Sequence, residues 1–181
     1  MMKMKKVFWL AFAVICLLLP NASAGAWGNP YPGTLDNGNY VLVSGRMGGG
    51  QYVDMSSRVV ELYNPPYYQI AINVIGVQFS EDYYRAHGTY VGGPYKVYNE
   101  PRVMKFRYNY DTKKLWLLDS AGGWKYWNIY QAHSTAEGFP LVPYSAEAAF
   151  VAAYNMRFFG NTTGYGGNRV IAEDFYRALG V

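Results

Sequence analysis

Tyr67-Tyr68-Gln69-Ile70-Ala71-Ile72-Asn73-Val74-Ile75-Gly76-Val77-Gln78-Phe79 is the stretch that decides how this chain folds. Its even positions carry Ile70, Ile72 and Val74, and its odd positions Ala71, Ile75, Val77 and Phe79. Side chains alternate between the two faces of a strand, so both faces here are mostly apolar. That is the pattern of a central strand covered on two sides.

Working upstream, residues 40–44 read as a first strand, and Gly45-Arg46-Met47-Gly48-Gly49-Gly50 as a flexible hairpin connection. Residues 51–55 and 58–63 read as two short strands joined by a turn at Ser56-Ser57. Pro65 and Pro66 close the second of these, because proline cannot donate to a ladder. Downstream, residues 80–99 show no clear period but carry Tyr83, Tyr84, Tyr90, Tyr95 and Tyr98. A loop of that length in a compact domain is often functional.

Residues 102–110 then alternate cleanly, with Met104, Phe106, Tyr108 and Tyr110 on one side and Val103, Lys105, Arg107 and Asn109 on the other. One side meets a core and the other meets water. Turns at Asp111-Thr112-Lys113 and Gly122-Gly123 connect this strand to 115–118 and 124–130. Links so short demand antiparallel pairing. Ser145 is placed as an N-cap, 146–159 as a helix stopped by Gly160, and 169–179 as a second helix. The expected fold class is α+β: a six- to seven-stranded antiparallel meander packed by one or two C-terminal helices.

The N-terminus reads as an export signal. Lys3, Lys5 and Lys6 precede an apolar run at 7–19, which Pro20-Asn21 breaks before Ala22-Ser23-Ala24. Small residues there match a signal-peptidase site, with cleavage after Ala24. The run is shorter than the roughly 20 residues of a spanning helix, so no transmembrane segment is expected after cleavage. Residues 25–39 then form an irregular lead-in, and 40–181 a single domain. Of 16 Lys and Arg against 12 Asp and Glu, three lysines leave with the signal, and 13 against 12 remain. That balance gives no concentrated basic face and argues against a nucleic-acid partner. Cys16, the one cysteine, also leaves, so burial alone must hold the domain together.

Few chemistries survive inspection. His87 and His133 are too few and too unpatterned for a zinc site, and no elbow motif frames a serine nucleophile. Gly45–Gly50 lacks the Lys-Ser/Thr pair and following helix of a phosphate loop. Neither a metal nor a cofactor is implied. Asn161-Thr162-Thr163 matches a glycosylation acceptor, a pattern short enough to arise by chance. Glu81 and Asp82, with Glu100 or Asp119 as a distant partner, offer carboxylates for glycoside chemistry, although neighbours on an extended chain point apart and nothing selects one pair. All 19 tyrosines follow the signal. Trp124, Tyr126 and Tyr130 share one side of the last strand and Trp127 and Ile129 the other, with Trp116 next door. One side is expected to be core, and the other can serve as a platform for a sugar ring or a partner's apolar side chain.

Gly50-Gln51-Tyr52-Val53-Asp54-Met55-Ser56-Ser57, followed at once by a strand, resembles the aromatic-x-Asp-x-Ser-Ser turn of the surface-adhesin protein E family of small exported bacterial proteins. Phe106-Arg107-Tyr108-Asn109-Tyr110-Asp111-Thr112-Lys113-Lys114-Leu115-Trp116 looks like that family's basic hairpin, and Trp124-Lys125-Tyr126-Trp127 follows in register. The likeness spans residues 40–129; paired cysteines found in many members are missing, and two helices are added. It implies an antiparallel sheet with helix, export, and non-enzymatic binding of host or envelope macromolecules. The leading expectation is therefore an adhesin-like secreted or cell-envelope protein that is not an enzyme. Its partner would be an extracellular or cell-wall macromolecule, contacted through Arg46, Tyr83, Tyr84, Tyr90, Trp124 and Tyr126. The alternatives are a carbohydrate-binding or carbohydrate-active protein, and an envelope component that associates with itself.

Overall fold

The computed structural model describes residues 30–129, 141–164 and 167–181. Ala24, Tyr130 and His133 lie outside the described residues. Among those described, the fold is α+β, with eight strands in one antiparallel sheet and three α-helices. In chain order these are β1 (Thr34–Leu35), β2 (Tyr40–Arg46), β3 (Gly49–Asn64), β4 (Tyr67–Phe79), α1 (Glu81–His87) and β5 (Tyr95–Val97). There follow β6 (Arg102–Asn109), β7 (Lys114–Leu118), β8 (Trp124–Trp127), α2 (Leu141–Tyr154) and α3 (Glu173–Leu179).

The sheet runs β1-β2-β3-β4-β6-β7-β8. β4 lies inside it, as its doubly apolar pattern requires. One edge pairs with β3, and the other is shared, with Tyr67–Val74 on β6 and Val77–Phe79 on β5. Between those two partners Gly76 N donates to Asn99 Oδ1 at 2.7 Å, and the phenol end of Tyr98 lies close over the glycine. A Cβ built on Gly76 would stand 2.5 Å from the Tyr98 ring, which only glycine avoids.

Strand number differs from expectation in two ways. Residues 51–55 and 58–63 belong to one strand, β3, bent where Ser56-Ser57 was expected to turn back. Asp54 Oδ1 accepts from Ser56 N at 3.0 Å within β3, and Ser57 Oγ accepts from Asn73 N at 2.9 Å, so Ser57 takes the place of a backbone carbonyl across a bulge. The added strands, β1 and β5, are two and three residues long, too short to show a period. Met47 and Gly48, both at positive φ, make the β2–β3 connection a tight two-residue turn.

Two cores flank the sheet. On one face Val41, Val53, Ile70, Ile72, Phe106, Tyr108 and Leu115 pack against Ala149 and Phe150 of α2, Phe158, and Phe175 of α3. On the other, Leu42, Tyr52, Ile75, Val77 and Phe79 are covered by Tyr31, Leu35 and Tyr90. Residues 30–39, expected as a lead-in to the domain, are thus part of its second core. That second cover stops at the C-terminal half of β4. The same face of β6, β7 and β8 carries no buried cluster among the described residues.

The helices are shifted from their expected bounds. α2 begins at Leu141, so Ser145 is a buried interior residue rather than an N-cap. Pro143 fits because it sits in the first turn, where its missing N–H would have no helical partner. α2 ends at Tyr154 rather than running to Phe159: Asn155 adopts φ 52°, the left-handed conformation of helix ends. The N–H groups of Phe158 and Phe159 are then taken by the two oxygens of Glu147. α3 starts at Glu173, with its two acidic residues at the positive end of the helix. No helix among the described residues is long and apolar enough to cross a membrane.

Candidate functional site

The open face is built by strand alternation. Gln69 faces Arg107, Arg107 faces Trp116 and Trp116 faces Tyr126, with Leu62 opposite Gln69 on the far side. These five side chains form one straight row across β3, β4, β6, β7 and β8. Trp124, two residues from Tyr126 on β8, falls in the neighbouring row opposite Leu118. Leu62, Tyr67, Arg107, Trp116 and Trp124 line a shallow groove of 380 Å³. Leu62 and Tyr67 are 43% and 52% exposed, so apolar surface stays in water here, whereas the opposite face of β4, β6 and β7 buries Ile70, Ile72, Phe106, Tyr108 and Leu115. Trp127, one residue from Tyr126, is 8% exposed and points into the helix-side core, so the side carrying Trp124 and Tyr126 is the one left open.

A polar chain stiffens this face. Lys105 Nζ and Gln69 Nε2 both donate to the carboxylate of Glu61. Those donors, Lys105 first, hold the Glu61 carboxyl below its usual range. With its nitrogen committed to Glu61, the Gln69 amide turns its oxygen to Arg107, whose Nε donates to it at 2.9 Å. The guanidinium carbon lies 4.0 Å from the centroid of the Trp124 ring. Arg107 is thereby fixed by a hydrogen bond at one end and a cation–π contact on one face. Trp116 and Tyr126 lie beside it, 5.7 Å apart and tilted by 56°.

The tyrosines of residues 80–99 do something else. Tyr90 is 4% exposed and is stacked between Tyr31 and Tyr84, at 4.8 and 4.6 Å. Its expected role as a contact residue is therefore corrected: it is packing for the second core. Tyr83 stacks on His87 at 4.0 Å and presses on Gly93, where a Cβ would come within 2.6 Å of the ring. Tyr84 is half-buried against that core. Arg46 is exposed at the β2–β3 turn, and no contact among the described residues brings it to Trp124 or Tyr126. The six expected contact residues thus do not form one patch: Trp124 and Tyr126 share the open face, whereas the β2–β3 turn beside Arg46 lies against Glu81 of α1, the helix that carries Tyr83 and Tyr84.

The carboxylates are likewise engaged locally. Glu81 accepts from Tyr90 Oη at 2.9 Å, and Asp82 pairs loosely with Arg85 at 3.9 Å on an exposed turn. Both open α1, next to its N-cap Ser80. Glu100 is exposed in the link between β5 and β6. No group of three or more His, Cys, Asp or Glu among the described residues is arranged to hold a metal ion.

Arg107, Gln69, Leu62 and Tyr67 were not foreseen as site residues. Arg107 was legible in principle, since counting back from the 111–113 turn sets it opposite Trp116. Leu62 and Gln69 were not, because the β3 bulges shift the register and a count along β3 fails there. No family model, curated protein or solved structure matches the chain.

Proposed function

We propose that this is an exported binding protein, not an enzyme, whose ligand is a glycan lying on the open face of β4, β6, β7 and β8. One observation carries the reading: Arg107, Trp116, Trp124, Tyr126, Leu62 and Tyr67 converge on the one broad sheet surface that nothing described covers. Binding sites are typically mostly apolar with a few fixed polar groups, which is this composition. The ladder supports a glycan over an extended peptide. The backbone N–H and C=O groups of residues 67–69, 106–109 and 115–117 beneath the groove are spent on pairing, so the face itself offers side chains alone, whereas strand-like peptides dock on free edges, such as the outer side of β8 among the described residues. Aromatic rings with polar neighbours suit saturated sugar rings, whose C–H faces stack while their hydroxyls reach amides and cations.

Titration of the protein with a glycan panel containing neutral and carboxylated oligosaccharides, followed by tryptophan fluorescence, tests this. Trp116→Ala and Tyr126→Ala each weaken binding by about tenfold, as expected for lost aromatic anchors. Tyr83→Ala and Tyr84→Ala leave it unchanged. Loss confined to the Tyr83 and Tyr84 variants would move the site to α1, and a panel without any binder overturns the glycan reading.

A further inference from the structure

We propose that Arg107 is a receptor for a carboxylate on that glycan, so that the ligand is built from acidic sugars of the uronic-acid type. This rests on the glycan reading above and narrows it. Arg107 spends one donor, Nε, on Gln69. Its terminal nitrogens carry no hydrogen bond to any described residue, which leaves the two-pronged end of the guanidinium open. A fork of that shape matches a carboxylate with two parallel hydrogen bonds, a geometry that lysine cannot reproduce.

The fork is already aimed. The Trp124 ring beneath it and the Gln69 amide beside it fix its plane, and Gln69 is held in turn by Glu61 and Lys105. Little side-chain freedom is left to lose on binding, so the hydrogen bonds formed are not offset by ordering. Charge agrees. Lys105, Arg107 and, by strand parity, Lys114 stand on this face; of the carboxylates that share it among the described residues, Glu61 is already neutralised by Lys105, and Asp54, opposite Asn73, lies four residues along β4 from the Gln69–Arg107 row. An anionic ligand enters a field of its own complement. Trp116, directly opposite Arg107 on the neighbouring strand, provides the surface against which the carboxylated ring lies.

The experiment compares oligomers of galacturonic acid with the same oligomers fully methyl-esterified and with oligoglutamate, by calorimetric titration of the wild-type protein, Arg107→Gln and Arg107→Lys. The acidic sugar is expected to bind about tenfold or more tightly than its ester, and Arg107→Gln to abolish that preference by weakening the acid far more than the ester. Arg107→Lys is expected to recover only part of it. On the wild-type protein, which needs no variant to fold, rising ionic strength weakens the acid and not the ester. Equal binding of acid and ester, or a preference for neutral members of the panel, overturns the carboxylate assignment and leaves the glycan reading standing. Oligoglutamate matching the acidic sugar overturns it in favour of an acidic peptide. Absence of binding by every oligosaccharide removes both.

Discussion

Glu147 places a carboxyl group wholly inside the helix-side core, where its two oxygens accept from Phe158 N at 2.8 Å and Phe159 N at 2.9 Å. Burial pushes its pKa up to about 7, and the two backbone donors only partly oppose that rise. Lys113, Tyr108 and Tyr176 are the titratable groups coupled to it, and both tyrosines are themselves raised by burial. The folded chain therefore holds this proton to higher pH than the unfolded chain, whose carboxyl titrates near 4.5. Stability from this group is full below about pH 4.5 and is lost as pH rises through about 7. Denaturant midpoints measured across that window should fall by an amount equivalent to roughly 3 kcal/mol. In Glu147→Gln, which has no proton to release, the slope should vanish, and a wild-type profile equally flat would show that the carboxyl does not titrate there. Such a residue could not be read from sequence. With Ser145 expected as the N-cap, Glu147 falls in the first turn of the helix, and only the early stop at Asn155 brings Phe158 and Phe159 to its carboxylate.

Among the elements, α1 shows where reading by pattern stops. It is seven residues long and buries no residue of its own, so it gives no apolar period to find. Ser80 defines it instead: Ser80 Oγ accepts from Tyr83 N at 3.2 Å, Gly88 closes the other end in the left-handed conformation, and Glu81 and Asp82 sit at the positive end. Ser80→Ala should lower stability by about 1 kcal/mol, read from the denaturation midpoint, while glycan binding on the far half of the sheet stays the same. An unchanged midpoint would mean that the cap contributes nothing to α1. Strands that alternate over their full length were legible: β6 reads correctly because each inward residue, from Met104 to Tyr108, faces one continuous core. β3 misled because its bend keeps the ladder going through Ser57, whose hydroxyl donates to Asp54 O and accepts from Asn73 N, and no composition rule separates that from a turn. Two readings of the aromatic pair on β8 stood open, and Trp127 decides between them by facing the helices.

Taken whole, the molecule covers its sheet unevenly. Helices shield one face from β2 to β8, whereas residues 30–39 and 80–94 shield only half of the other. No cysteine follows residue 16, so two apolar cores rather than disulfides hold the described fold together. If the N-terminus is a cleaved signal, Edman sequencing of the protein recovered from its producing cell should start at Gly25; a chain beginning at Met1 in the cell extract would count against export. The account depends most on the open half-face. Oxidative footprinting of the folded protein measures it directly, ring by ring. Trp116, Trp124, Tyr126 and Tyr67 should be modified readily in the free protein and protected by ligand, with Tyr52, Tyr90, Tyr108 and Tyr176 inert in both states. Protection of Trp116, Trp124 and Tyr126 before any ligand is added would mean that the face is already covered, and would contradict the site.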